Sequence, residues 1–169
     1  LVESTSFFSC KTSSQNGGAI YFSNSGAQSV LYEVCSYDCC STNTGGSHRD
    51  YAFIEVNNVA SSKNYVNYSS ITRSVSANSN SWGNMGLYYG KILCHSVNFS
   101  LNKCYANQFY CYPSADSSYT TCSFTYSSFT DNTAIRSTCI DFDMGNAKYE
   151  TKNCNILRNT QGSLNIHGT

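Results

Sequence analysis

Two carboxylates and an imidazole are the strongest catalytic candidates in this 169-residue chain: Asp141, Asp143 and His167. Asp141 and Asp143 lie two apart, so a β-strand would show both on one face. His167 follows Ile166 as Asp141 follows Ile140, 26 positions on. In a chain that coils with that period, His167 stacks outside Asp141. Two carboxyl groups and a histidine within reach of one bond would support acid–base hydrolysis, for example of an acidic polysaccharide. The sequence has no Asn-x-Asp, no Asp-Asp pair and no Arg-x-Lys. It also lacks the clustered aspartates and arginine base of a calcium-dependent lyase. The preferred reading is outward polar residues on an exposed strand, with no catalytic residue, no cofactor and no enzyme activity. A polysaccharide lyase or hydrolase of the pectinase-like fold is an alternative.

Cys35, Cys39, Cys40 and His48 invite a zinc reading. Their spacing is not that of paired CxxC knuckles. Cys39 and Cys40 are adjacent, so on a strand they face opposite ways. Structural thiols or disulfides fit better than a metal site, and connectivity is not readable from spacing. Asn67-Tyr68-Ser69 and Asn98-Phe99-Ser100 are N-glycosylation sequons at Asn67 and Asn98. With ten cysteines they favour an exported, cell-surface or secreted protein.

The elements that would position these residues are written in a repeat. A bulky residue is followed three positions later by Cys, Ser or Asn in Phe7–Cys10, Tyr37–Cys40, Ile71–Ser74, Phe99–Asn102, Phe129–Asn132 and Ile156–Asn159. The bulky residues are 30, 34, 28, 30 and 27 positions apart. That period signals a solenoid. A second column of short alternating segments is centred on Ile20, Ile54, Leu87, Phe109, Ile140 and Leu164. Period-two alternation means strands with one buried face. No segment has a 3.6-residue pattern. The fold expected is all-β: a right-handed parallel β-helix of about five to six coils, without significant helix, forming one segment over residues 1–169. Phe7, Tyr37, Ile71, Phe99, Phe129 and Ile156 then stack as an internal ladder. Asn102, Asn132 and Asn159 fall at one turn, where stacked amides can satisfy one another.

Composition agrees. Ser, Asn and Thr exceed a third of the chain, while charged residues are 12%. Ten acids balance ten bases, which argues against nucleic acid as a partner. No apolar stretch is long enough to span a bilayer, so a membrane would be reached only through an anchor outside this segment. Neither end reads as a solenoid cap, and the chain reads as a segment of a longer surface protein. The connections after the ladder are long twice, from Cys40 to Asp50 and from Ser74 to Gly86. Both leave the same corner of the coil. The second carries Trp82, the one Trp of the chain. Insertions on one side of a solenoid often form its binding face. Trp82, Asn80, Asn84, His48 and Arg49 are the candidate ligand-binding residues.

Gly17-Gly18-Ala19-Ile20 is a GGAI motif, and Phe99-Ser100-Leu101-Asn102 and Phe129-Thr130-Asp131-Asn132 are FxxN motifs. Together they resemble the polymorphic outer membrane protein repeat of chlamydial autotransporter adhesins. The Cys-, Tyr- and Ser-rich stretches look still more like trichomonad surface proteins with such repeats. GGAI occurs once here, and FxxN is strict only twice. The resemblance implies a right-handed β-helix displayed on a cell surface, with adhesion as its role. The partner expected is a protein or glycan ligand on another cell. The alternative is self-association through the β-helix ends into filaments or a coat.

Overall fold

The structure is a computed structural model that describes residues 1–13, 16–43, 49–75, 82–114, 120–135, 139–143, 148–160 and 164–167, with 120, 121 and 164–167 described in backbone only. The described residues contain strands and turns and no helix. Every strand pairing is parallel. Three sheets of six strands each run along the molecule. The first sheet takes Val2–Glu3, Ser29–Tyr32, Lys63–Asn67, Lys91–His95, Thr120–Thr125 and Lys148–Lys152. The second takes Ser6–Phe8, Cys35–Tyr37, Ser70–Thr72, Asn98–Ser100, Ser128–Thr130 and Asn155–Leu157. The third takes Ile20–Ser23, Arg49–Glu55, Gly83–Tyr88, Asn107–Tyr112, Ile140–Asp143 and Leu164–His167. The chain visits the sheets in that order and then steps to the next rung. This is a β-solenoid.

Two corners of each rung are turned by a single residue in the left-handed region. Ser4, Glu33, Tyr68, Ser96, Tyr126 and Asn153 join the first sheet to the second, and Ser9, Asp38, Arg73, Leu101, Asp131 and Arg158 leave the second. Their φ values lie between 46° and 58°. For a residue with a Cβ this costs roughly 1–2 kcal/mol. The neighbouring rung holds each corner in place. Tyr68 N donates to His95 O at 2.8 Å, and Leu101 N to Thr130 O at 3.1 Å. The hydrogen-bond ladder thus runs through the bend at the ten of these corners that have a following rung.

The internal ladder is present with one correction. In the second sheet, Phe7 pairs with Ser36, Ser36 with Ile71, Ile71 with Phe99, Phe99 with Phe129, and Phe129 with Ile156. The rung-two member is Ser36, not Tyr37. Tyr37 is exposed and points out beside Phe8. The reason is volume. Tyr51, wholly buried, enters from the third sheet and fills the space a ladder aromatic would need. Its hydroxyl meets Ser36 Oγ at 2.7 Å. The turn position shifts with it, so Cys39 rather than Cys40 continues the column of Cys10, Ser74, Asn102, Asn132 and Asn159.

The second sequence column resolves into two. Ile20, Ala52, Met85, Phe109, Ile140 and Leu164 are in register, and so are Phe22, Ile54, Leu87, Cys111, Phe142 and Ile166. Ile54 and Leu87 belong to the second of these. The densest packing is where the sheets meet: Phe99 and Phe129 from the second, Phe109 from the third and Phe124 from the first. Their ring centroids lie 5.2–6.0 Å apart, mostly edge to face. Aromatic pairs favour that geometry.

Candidate ligand-binding face

The third sheet is where the sequence candidates converge, because both long connections lead into it. The connection after Cys40 delivers the chain to Arg49 and the one after Ser74 delivers it to Gly83, and these two residues are register partners on adjacent rungs. His48 and Asn80 lie outside the described residues. Trp82 is described and is 55% exposed.

Arg49 differs from its expected place on a loop. It opens a strand and is buried, its side chain laid flat across the outer surface of the sheet. Arg49 Nη1 donates to Trp82 O at 2.8 Å, and Nε and Nη2 each donate to Tyr88 Oη at 3.1 Å. Its guanidinium carbon sits 4.4 Å from the Tyr110 ring centre, a cation–π contact. The sheet makes room through Gly86, where a Cβ would stand 2.9 Å from Arg49 Nε. Arg49 therefore ties three rungs together under the exposed surface.

Asn84 is also not a loop residue. It lies wholly buried in a strand of the third sheet. Ser74 Oγ donates to Asn84 Oδ1 at 3.3 Å, and Asn84 Nδ2 donates to Gln108 Oε1 at 2.6 Å. Gln108 Nε2 in turn donates to Asn102 O at 3.2 Å. This interior polar chain links two rungs and was not legible from alternation, since Gln108 and Phe109 are consecutive and both buried.

The carboxylates stand on the same sheet. Asp141 is buried and accepts from Asn107 Nδ2, while Asp143 Oδ2 accepts from Tyr110 Oη at 2.6 Å. Burial, and then the hydrogen bond to Asp143, raise the Tyr110 phenol above its ordinary range. His167 is the register partner of Asp143 and not of Asp141. The expected stack of His167 on Asp141 is displaced by two residues. What the arrangement does is clamp Tyr110 and Asn107 to the next rung.

The cysteine group is dispersed. Cys35 is exposed, whereas Cys39 is buried at the corner ladder. Cys40 is buried with its sulfur 3.5 Å from Lys11 Nζ. Among the described residues no group of three or more His, Cys, Asp or Glu could hold a metal ion. Asn98 is exposed at the start of its strand; Asn67 is half-buried, and its Oδ1 has no hydrogen-bond partner among the described residues.

Two ranks of aromatic rings cross the outside of the solenoid, each spanning four rungs. On the third sheet Tyr21, Phe53, Tyr88 and Tyr110 stand in sequence with centroids 5.5, 4.8 and 5.4 Å apart. Along the corner of the first sheet run Tyr32, Tyr68, His95 and Tyr126, at 5.4, 5.2 and 5.5 Å. Tyr21, Tyr68 and Tyr126 are each more than half exposed. Strands ~4.8 Å apart set the spacing. In the first rank Tyr21, Phe53 and Tyr110 share a register position with Gly86, over which the Tyr88 ring from two residues on leans. In the second, Tyr32 and His95 alternate with the corner residues Tyr68 and Tyr126 one position on. The tyrosine content of the sequence signals such a surface, but the grouping into ranks depends on register. No family model matches the chain, and neither a curated protein nor a solved structure matches it.

Proposed function

We propose that this chain is a right-handed parallel β-helix of about five to six coils that displays a ligand-binding face, acting in adhesion at a cell surface or as a secreted protein, and that it is not an enzyme. The observation that carries the reading is the rank Tyr21, Phe53, Tyr88 and Tyr110 on the third sheet, beside exposed Trp82. Rigid aromatic side chains give amphipathic contact area at low entropic cost, which suits protein or glycan ligands. Arg49 beneath the rank holds it in place, so the face is organised before a ligand arrives. Right-handedness follows the general preference of parallel crossover connections. The GGAI and FxxN repeat family is the resemblance consistent with this role. Gly18 supports it locally, because a Cβ there would stand 2.3 Å from the Cys40 carbonyl carbon of the next rung.

The test is binding of the chain to immobilised glycans and to whole cells. Tyr21→Ser combined with Trp82→Ser should weaken binding at least about tenfold while leaving the circular dichroism spectrum unchanged. Binding that survives both substitutions and also survives deletion of residues 44–48 and 76–81 would move the function off this face. Release of reducing or unsaturated ends from polyuronides, abolished by Asp141→Asn, would establish an enzyme instead.

A further inference from the structure

Cys10 and Cys39 occupy the same corner on successive rungs. The residues flanking them are register partners, Phe8 with Tyr37 and Lys11 with Cys40, so the two cysteines face each other one rung apart. Rungs paired in this way are ~4.8 Å apart. That lies within the roughly 4.4–6.8 Å between the Cα atoms of a disulfide. The side chains already converge. The Cys10 amide donates to Cys39 Sγ at 3.4 Å, and Cys39 Sγ donates to Phe7 O, on the rung of Cys10, at 3.4 Å. The sulfur of Cys39 therefore leans across the gap.

The neighbouring thiols have different partners. Cys35 is exposed and pairs with Ser6 and Ser70. Cys40 pairs with Lys11. Cys111 and Cys122 are both completely buried. Cys10 is half-buried, which leaves it within reach of a small oxidant in the folded chain.

We propose that Cys10 and Cys39 are a disulfide pair, closed by a small-molecule disulfide such as glutathione disulfide. The Cys10 thiolate attacks one sulfur of glutathione disulfide, and one glutathione leaves as thiolate. Cys39 then loses its proton and attacks the Cys10 sulfur of the mixed disulfide, expelling the second glutathione. Two protein thiols are oxidised to one disulfide, one glutathione disulfide is reduced to two glutathiones, and the two protons end on those glutathiones. The product ties two rungs at a corner where no asparagine ladder does so.

The folded chain is incubated with glutathione disulfide, alkylated and cut with chymotrypsin, which separates residues 9–21 from residues 38–51. The expected product is a cross-link between these two peptides, in the wild type and in Cys40→Ser, and none in Cys39→Ser. Cys39→Ser keeps a donor for Phe7 O, so the variant is expected to fold. Reducing the cross-linked wild type should lower its thermal midpoint by several degrees. Absence of the linked peptide, its persistence in Cys39→Ser, a cross-link at Cys111–Cys122 in its place, or an unchanged midpoint would overturn the pairing.

Discussion

The rungs that carry Asn102, Asn132 and Asn159 turn the same corner as the rungs that carry Cys10, Cys39 and Ser74, with different side chains. In the asparagine rungs each amide works along the axis. Asn132 Nδ2 donates to Phe99 O at 2.8 Å and to Asn159 Oδ1 at 2.9 Å, while its Oδ1 accepts from Asn102 N at 3.0 Å. In the earlier rungs smaller groups take single parts of that role. Ser74 Oγ donates to Cys39 O at 2.7 Å, and Cys39 Sγ donates to Phe7 O. Each rung thus reaches back to a carbonyl of the rung before it. What changes is the number and strength of the bonds, because a thiol is a weak donor and a hydroxyl brings only one proton. The backbone corner does not need asparagine; asparagine cross-braces it.

The two regions also differ in the number of thiols they bury, Cys39 and Cys40 in the earlier rungs against five in the asparagine rungs, and alkali should break the comparison most sharply. Cys94, Cys104, Cys111 and Cys122 are buried in the asparagine rungs with their thiols pushed up from an ordinary value of 9.0, and burial pushes Cys139 up to about 12. A thiol whose folded pKa exceeds its unfolded one contributes stability that is fully present below pH 9 and is lost as pH rises towards the folded value. Each such group costs ~1.4 kcal/mol per pH unit above 9. For Cys139, held protonated to about 12, this amounts to ~3 kcal/mol by pH 11, and the other four thiols act in the same direction. Circular dichroism should show a stable fold at pH 7–8 and a urea midpoint that falls as pH rises from 9 to 11. Proteolysis at intermediate pH should cut more readily within residues 91–143, which hold five buried thiols, than before residue 75, where Cys39 and Cys40 are buried.

Next in size is Phe129→Ala. Phe129 is wholly buried against Phe99, Phe109 and Phe124. Its loss should cost ~3–5 kcal/mol, measured by urea titration. A cost below about 1 kcal/mol would mean that this ring cluster does not hold the asparagine rungs together.

How much of this was legible follows from which residues carry local signals. The repeat and the alternation pointed to parallel stacked strands, and five of the six ladder residues stand where their spacing placed them. The asparagines were legible because Asn102, Asn132 and Asn159 recur at one offset from a bulky residue. Ser36 was not, since a serine beside a tyrosine gives no reason to prefer the serine as the inward residue. Only the burial of Tyr51 from another sheet decides it. The corners were equally silent: Glu33, Tyr68, Arg73 and Leu101 carry no left-handed propensity, and the adjoining rung holds them there. At the candidate site, exposed Trp82 was legible as an odd residue in a polar loop. Arg49 and Asn84 were not, because their side-chain partners Tyr88 and Gln108 lie one rung away and so 39 and 24 residues off in sequence.

The corner chemistry can be compared directly by truncation. Asn132→Ala removes the donors to Phe99 O and Asn159 and leaves the Asn102 amide without its acceptor. Stranding buried partners costs ~1–3 kcal/mol each, so a total of about 2–4 kcal/mol is expected. Ser74→Ala loses the bond to Cys39 O and one to Asn84 and should cost about 1–2 kcal/mol. Equal costs would mean that the asparagine ladder adds nothing beyond the corner itself.

The smallest effect tests the one-residue slip of the second rung. If Tyr37 stood in the ladder, Tyr37→Ala would cost as much as Phe129→Ala. It stands outside, against Phe8 at 6.4 Å and beneath the Arg73 guanidinium at 5.4 Å. Surface contacts of this kind contribute ~0.5–1 kcal/mol, and Tyr37→Ala should cost no more than that. Ser36→Ala, by contrast, takes the partner from a buried phenol. Burial raises the Tyr51 hydroxyl above its ordinary range, so it stays protonated and still needs an acceptor. The smaller of these two residues should therefore be the costlier to truncate, by about 1 kcal/mol, even though Ser36→Ala removes a single oxygen. The reverse order in urea titration would return Tyr37 to the interior and restore a bulky residue at every rung of the ladder.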